Sequence, residues 1–429
     1  MKFSVFTISH DLKHLDRPLN SLLSQTYKDF EWVILLNGDA VDESEDLKKR
    51  LGHKSKEFGL DFKVHVYPKQ SNMNIGALKK ACCTLSSGEV LVELDHDDAL
   101  REDCLYKLAA AFQNEKIDFV YSDDYYVDIR GGKEDFTRPF NEEYGWRNAV
   151  DSHGRQYCSG FDPSPLSFSF IWYAPDHVRS WRKSFYHKIG GHNIELDVCD
   201  DYELCARTYI EGECLRIPEP LYFYHLHEEQ TFRNEKNERI QQLTQQLHDK
   251  FIYKIVEKWC DENKLLKVDL CSCDNKPEGY IGVDKRSLNK DDILFDLDKK
   301  DWPFKDGSVG LFRAQDAVEH LKNPINTMSE MYRCLTDFGW SMIEVPSTDG
   351  RGAFQDPTHV SFWNSNSFWY YTKGHMANFI GSPVAFKDYR LLNYYPSEWH
   401  ETHDIPYTKA HLVKLPWDQN IIPPGGRQI

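Results

Sequence analysis

Asp95, Asp97 and Asp98 close the apolar run Val90-Leu91-Val92-Glu93-Leu94, with His96 set among them. Mg²⁺ and Mn²⁺ take carboxylate and water ligands and bridge to substrate phosphates, so acids gathered at a strand end suit chemistry on a phosphate-bearing substrate. Short Asp-x-Asp strings also arise by chance in acidic chains, where they are solvated turns, so the surrounding pattern has to decide. Further along, Asp200-Asp201 opens a helical segment, and His225 and His227 follow the aromatic run Leu221-Tyr222-Phe223-Tyr224. Residues two apart on an extended segment share one side, which lets one imidazole face a metal. A lone histidine, by contrast, is more often a hydrogen-bonded structural residue.

The elements that must position these residues start at the N-terminus. Phe3 to Ser9 is rich in β-branched and aromatic residues and stops at His10-Asp11, which predicts a strand. Leu15, Leu19, Leu22 and Leu23 recur at helical spacing, and Phe30 to Leu36 resumes a strand closed by the turn pair Asn37-Gly38. This is a β-α-β unit. Strands apolar on both faces that alternate with helices imply an α/β protein with a covered parallel sheet, where ligands bind beyond the carboxyl ends of the strands. Asp95 and Asp97 fall at such an end.

Thr7 and Ser9 on the first strand, Ser21-Leu22-Leu23-Ser24-Gln25-Thr26-Tyr27, Asn74-Ile75-Gly76 and Asp95-x-Asp97 are followed by Ile189-Gly190-Gly191, Asp200-Asp201-Tyr202-Glu203-Leu204 and His225-Leu226-His227. In this order and rough spacing, the first half of the chain resembles the family 2 inverting glycosyltransferases. The resemblance implies a GT-A fold, a nucleotide-diphospho-sugar donor, a glycan or other hydroxyl acceptor, and Mn²⁺ or Mg²⁺. It implies Thr7, Ser9 and Asn37 along the base, with Asn74 and Gly76 also on the donor side. Asp95 would lie at the ribose and the metal, and Asp97 with His227 would hold the metal bridging the diphosphate. The family often has an acidic pair after its second strand; Leu36-Asn37 stands there in this chain and leaves the base open.

Inverting transfer needs a base to deprotonate the acceptor and a Lewis acid for the departing diphosphate. Asp201 matches the second acid of the family's Glu-Asp motif and is the candidate base, its pKa expected to rise among neighbouring carboxylates. Asp200 is the rival; one of two acids at a helix start is commonly a cap or dipole partner. Alternatives to a glycosyltransferase are a bifunctional enzyme that also methylates, a non-catalytic sugar-nucleotide sensor, or a nucleotidyltransferase.

Residues 136–185 gather Tyr144, Trp146, Tyr157, Phe161, Phe168, Phe170, Trp172 and Tyr173 around Pro163 and Pro165, which suggests a wall for sugar rings or satellite core packing. Arg179, Trp181 and Arg182 are expected on the acceptor side, and Asp123-Asp124 in a strand-end turn. Ile240, Leu243, Leu247, Phe251, Ile255 and Trp259 form one apolar stripe of a helix joining two halves. The expected organisation is 1–233, a helix over 234–262, and a second domain over 263–429.

With 68 acidic against 52 basic residues, a net charge of −16 argues against a nucleic-acid partner. No run approaches the ~20 apolar residues of a membrane span. The eleven cysteines have no framework spacing. Together these features predict a cytoplasmic protein with reduced thiols and no transmembrane segment.

From Leu265 the strand pattern restarts, with Val268-Asp269-Leu270, Tyr280 to Asp284, Val309 to Arg313 and Trp340 to Val345, and a helical stretch from Ala317 to Leu335. Gly279-Tyr280-Ile281-Gly282-Val283-Asp284, Asp296-Leu297 with Trp302-Pro303-Phe304, and Asp316-Ala317-Val318-Glu319-His320-Leu321 resemble the class I S-adenosylmethionine-dependent methyltransferases. That resemblance implies a Rossmann-like domain with Asp269, Asp284 and Asp296 on the cofactor side, Asp284 at the ribose and Asp296 near the adenine. Where the family has a glycine-rich turn, this chain reads Leu270-Cys271-Ser272-Cys273-Asp274. A side chain in a left-handed turn costs about 1–2 kcal/mol and takes up ligand space, so weak or lost methyl transfer is expected. After the fourth strand, Pro346 to His359 carries Asp349, Arg351, Asp356 and His359 with flexible glycines, which suits either a substrate loop or one fixed by its own hydrogen bonds.

Overall fold

A computed structural model describes residues 1–68, 73–130, 134–137, 148–169, 175–227, 237–273, 276–286, 292–382 and 384–414. They form two compact units, Met1–Ile255 and Val256–Ile429, so the division falls inside the helix Asn237–Glu262. Among the described residues no helix is long and apolar enough to cross a membrane.

The first unit contains β1 (Phe3–Ser9), β2 (Phe30–Leu36), β3 (Asp61–Val66), β4 (Val90–Glu93), β5 (Ala99–Leu100) and β6 (Phe119–Asp128). It continues with β7 (Asp135–Phe136), β8 (Asn148–Val150), β9 (Gln156–Cys158), β10 (Arg179–Arg182) and β11 (Cys214–Leu226). The main order is β3-β2-β1-β4-β10-β6-β11-β5. β1 and β2 are apolar on both faces because both are covered: Val5, Trp32 and Val92 pack on Leu15, Leu19 and Leu22, while Phe6, Val33 and Leu91 pack on Leu78, Cys82 and Cys83. The predicted β-α-β unit is present, with its helix at Asp16–Leu23.

Strand direction sets the site. β1, β2 and β4 run parallel, β6 and β11 run parallel, and β10 lies antiparallel between β4 and β6. The carboxyl ends of β1, β2, β4 and β11 therefore share one edge of the sheet with Arg179, the first residue of β10. Asp123 and Asp124, expected in a turn, lie inside β6, where Arg216 of β11 grips Asp123 with two nitrogens at 2.9 Å. Phe168 is a core residue, the packing alternative; Trp181, expected on the acceptor side, lies in the same core, and Arg182 is spent on the carbonyls of Phe112, Asn114 and Ile117. Tyr144, Trp146, Phe170, Trp172, Tyr173 and Asp274 lie outside the described residues. Leu247, Phe251 and Ile255 of the long helix join the core of this unit.

The second unit is a seven-stranded sheet. Its strands are β12 (Leu266–Leu270), β13 (Ile281–Asp284), β14 (Ile293–Leu294), β15 (Val309–Gln315), β16 (Leu335–Pro346), β17 (Phe386–Tyr394) and β18 (Tyr407–Lys414). The order is β14-β13-β12-β15-β16-β18-β17, parallel through β16 with β18 antiparallel. Chain order reverses between β12 and β15, which makes their carboxyl ends a topological switch point. The helix expected from Ala317 to Leu335 is shorter: a single turn spans Val318–His320 and a new helix starts at Pro324. Proline has no N–H for a helix interior but suits a first turn, and Asn323 caps it by accepting from the Asn326 amide at 3.1 Å.

Candidate functional site

Asp98 ties the segment after β4 to β11. Its buried carboxylate accepts from the Tyr222 hydroxyl at 2.9 Å and from the His225 amide at 2.8 Å, while the Asp95 amide donates to Tyr222 Oη at 3.1 Å. Burial, reinforced by Asp97 and Asp95, pushes the Asp98 carboxyl well up. This stitching places His227, one residue past β11, with Nε2 at 2.7 Å from Asp97 Oδ2. Burial acts against the Asp97 carboxylate, yet His96 and His227 beside it hold its pKa below the ordinary value.

Behind this pair lies a chain of buried charges. Glu93, the last residue of β4, is 1% exposed. Lys79 Nζ stands 2.7 Å from Glu93 and 3.3 Å from Asp200; Arg179 Nη1 stands 3.5 Å from Glu93 and 3.0 Å from Asp201. Two cations that share one carboxylate thus couple both acids of the helix Asp200–Glu211 to the end of β4. Asp95 Oδ2 is 3.6 Å from His177 Nε2, and single donor atoms of Glu93, Asp95 and His177 all lie within 4.8 Å of one another. The structure therefore pairs Asp97 with His227, and sets Asp95 with Glu93 and His177.

The electrostatics separate the two candidate bases. Burial raises the Asp200 carboxyl to about 6, against the pull of Lys79. Burial acts on Asp201 too, but Arg179 and Lys79 outweigh it and keep that carboxyl below its ordinary value. The rise expected for Asp201 thus falls on Asp200, because Asp201 has the closer guanidinium. Exposure points the other way: the Asp201 side chain is 21% exposed and that of Asp200 is 5%. Burial raises Asp95 to about 7 and lowers His177 to about 3.

A raised carboxyl has a definite effect on stability. The folded form holds the Asp200 proton more tightly than the unfolded form, so this contribution is present below the unfolded pKa and is lost as pH rises through about 6. Relative to Asp200→Asn, the wild type is expected to lose up to about 3 kcal/mol between pH 4 and 7. Urea melts of both proteins at the two pH values check this, and parallel pH curves would contradict it.

Lys79, Glu93, His177 and Arg179 were not singled out as site residues from sequence, apart from an expected acceptor role for Arg179. The signal for Glu93 was present, as a single charge inside an apolar strand. Lys79 carried a weaker one, a cation in a helix otherwise facing the core.

The remaining donor-side candidates are placed as follows. Thr7 is buried, donates to the Leu94 carbonyl at 2.8 Å and accepts from Trp32 Nε1 at 2.9 Å. Ser9 is buried and donates to the Asp11 carbonyl. Asn37 is half-buried beside them, its amide on the Ser9 carbonyl at 2.9 Å. Asn74 donates to the Ile194 carbonyl at 3.2 Å. A Cβ on Gly76 would sit 2.1 Å from the Asn193 carbonyl oxygen and 3.4 Å from Asp200 Cβ. Thr7, Ser9, Asn74 and Gly76 thus tie the site's loops together in this structure. Gly76→Ala must push the 193–196 segment away, with an expected cost of about 1–3 kcal/mol and a fall in turnover, read from urea melts and initial rates.

In the second unit, Asp269 is paired with Arg313 at 2.8 Å, Asp284 accepts from the Arg286 amide at 2.8 Å, and Asp296 accepts from the Asp298 amide at 3.2 Å. Cys271 and Cys273 take φ values of 51° and 40°. The turn thus has the left-handed backbone of a glycine turn while carrying side chains, and the Cys271 thiol reaches the Ala317 carbonyl across the switch point at 3.9 Å. These residues do not fit close backbone approach to S-adenosylmethionine. The Pro346 to His359 string is fixed by bonds within itself and to its neighbours: Asp356 accepts from the Thr358 amide and hydroxyl at 2.7 Å, Asp349 accepts from Asn393, and the Ser347, Thr348 and Arg351 amides donate to the carbonyls of Pro406, Trp363 and Asp404.

A mostly parallel sheet with acids and an imidazole gathered beyond its strand ends makes the first unit a GT-A-like domain. Residues 5–170 match the Glycosyl transferase family 2 model. An uncharacterized glycosyltransferase of Methanocaldococcus jannaschii is 25% identical over 206 residues, covering 47% of this chain and 68% of that protein. The family match over residues 5–170 and this relative together mark the protein as a transferase enzyme. Among solved structures, S. aureus TarS 1-349 is similar at 16% identity and TM-score 0.42, covering 65% of this chain and 76% of that one. GalNAc-T7 with UDP, GalNAc and Mn²⁺ is similar at 16% identity and TM-score 0.39, covering 53% and 44%. The chain spans 37% of a longer TarS chain and 61% of TarS 1-349 with UDP.

Proposed function

We propose that the first unit transfers a sugar from a nucleoside-diphosphate donor to a hydroxyl acceptor with inversion at the anomeric carbon. The observation that carries this reading is the Glu93 node, which joins Asp200 and Asp201 to the strand end bearing Asp95 and Asp97 through Lys79 and Arg179. A paired carboxylate and imidazole, Asp97 and His227, suits a divalent cation of the Mn²⁺ or Mg²⁺ type, while Asp95 is set with Glu93 and His177. Such a cation supplies charge stabilisation to the departing diphosphate. Asp201, the more exposed acid, takes the acceptor proton; Arg179 keeps it ionised and orients it. Asp200 holds Lys79 and so fixes the helix start.

The second unit is read as a methyltransferase-type domain without methyl transfer, because cysteines fill its switch-point turn. The odd number of cysteines, eleven, supports a reducing, cytoplasmic setting.

A thermal-shift screen of nucleoside diphosphates with and without Mn²⁺, with S-adenosylmethionine alongside, tests the whole reading. One diphosphate is expected to stabilise the protein only with Mn²⁺, by about 2.7 kcal/mol at a hundredfold excess over Kd, and S-adenosylmethionine is expected to do nothing. Product analysis then separates the rivals: a transferase releases nucleoside diphosphate, a nucleotidyltransferase releases pyrophosphate, and a sensor releases neither.

A further inference from the structure

The second unit holds a group of donors that the glycosyltransferase chemistry does not use. Glu319 follows β15 and is 2% exposed, with neither carboxylate oxygen meeting a hydrogen-bond donor among the described residues. Such a carboxylate is costly to bury unless something cationic meets it. His359 Nε2 lies 4.0 Å from Glu319 Oε1, and single donor atoms of Glu319, His320 and His359 all fall within 4.8 Å of one another.

The backbone builds this approach. The Glu319 carbonyl accepts from the amides of Val360 at 2.8 Å and Ser361 at 3.0 Å, and Ser361 Oγ donates to the Val318 carbonyl at 2.8 Å. The segment after His359 is thereby clamped to the turn that carries Glu319 and His320. Both imidazoles are oriented through Nδ1: that of His359 faces the Ala353 carbonyl at 2.9 Å, and that of His320 faces the Thr358 carbonyl at 3.2 Å. A carbonyl is only an acceptor, so Nδ1 of His359 donates to it, the arrangement that outer partners impose on metal-ligating histidines; the Thr358 hydroxyl, at 3.1 Å, shares Nδ1 of His320. Asp356 Oδ2, 3.9 Å from His359 Nε2, adds negative charge at the rim.

We infer that Glu319, His320 and His359 bind a first-row transition-metal dication at the carboxyl ends of β15 and β16. Two imidazole nitrogens with one carboxylate oxygen suit Zn²⁺, Co²⁺ or Fe²⁺ better than Mg²⁺ or Ca²⁺, which prefer all-oxygen shells. Neighbouring ligands of a tetrahedral ion with ~2.1 Å bonds stand about 3.4 Å apart, so the donors need to close by well under 2 Å.

Co²⁺ titration of the full chain, followed by its visible d–d absorption, tests the inference. The Asp97→Ala chain serves as background, so that the proposed transferase site does not contribute. That protein is expected to bind one equivalent, and adding Glu319→Gln or His359→Ala is expected to weaken binding by about tenfold or more. Glu319→Gln keeps side-chain shape while removing a buried charge, so an unchanged circular-dichroism melt shows that loss of Co²⁺ is not loss of fold. Absence of Co²⁺ binding in the Asp97→Ala chain, or binding indifferent to both substitutions, overturns the assignment. Loss of the transferase site alone leaves the expected single equivalent in place, so the two readings fail separately.

Discussion

Asp201→Asn is expected to lower sugar transfer by about 10²–10⁴-fold while leaving donor binding within about twofold of wild type. Asparagine keeps the shape and can still accept from the Tyr202 amide, as Asp201 does at 2.8 Å, but it cannot take a proton from an acceptor. Initial rates with saturating donor, beside thermal shifts by the nucleoside diphosphate with Mn²⁺, separate the two effects. Asp97→Ala should fail differently, losing the metal-dependent shift itself, because it removes the partner of His227. Near-normal transfer by Asp201→Asn would move the base elsewhere, with Asp200 next in line.

Lys79→Ala carries the largest expected cost to stability. Its ammonium is buried between Glu93 and Asp200, at 2.7 and 3.3 Å. Removing one partner of a buried pair typically costs about 3–5 kcal/mol, since the remaining charge keeps its desolvation penalty and loses its compensation. Asp200, already raised to about 6, relieves part of this by taking up a proton. Glu93 is left leaning on Arg179 alone, at 3.5 Å. Urea unfolding monitored by circular dichroism reads the cost, and Lys79→Met with Glu93→Gln should recover most of it. A loss below about 1 kcal/mol for Lys79→Ala would mean that water reaches the node.

Regular elements of the first unit were legible wherever local pattern and environment agree. Phe3–Ser9 and Phe30–Leu36 are apolar throughout because the sheet is covered on both faces, and such a run needs no tertiary knowledge to be read as a strand. The helix Asn237–Glu262 announced itself by an apolar stripe, although where the compact units divide along it did not. Patterns with two physical meanings misled. Asp123-Asp124 looked like a turn because paired acids seldom sit inside a strand, yet Arg216 neutralises one of them from 93 residues away. Trp181 and Arg182 suggest the acceptor side because aromatic and basic residues mark both binding faces and well-packed edges.

By itself the chain determined the α/β class, the strand ending at Asp95-x-Asp97 and the acids and histidine expected to meet it. These are local matters of periodicity, residue type and order. Only the tertiary structure decided which acid faces which cation. Lys79 and Arg179 reach Glu93 from a helix and an antiparallel strand, and the resulting Coulomb and burial effects push Asp200 up while holding Asp201 down. Charge interactions depend on distance and desolvation, and neither is encoded in sequence spacing once the chain has folded back on itself.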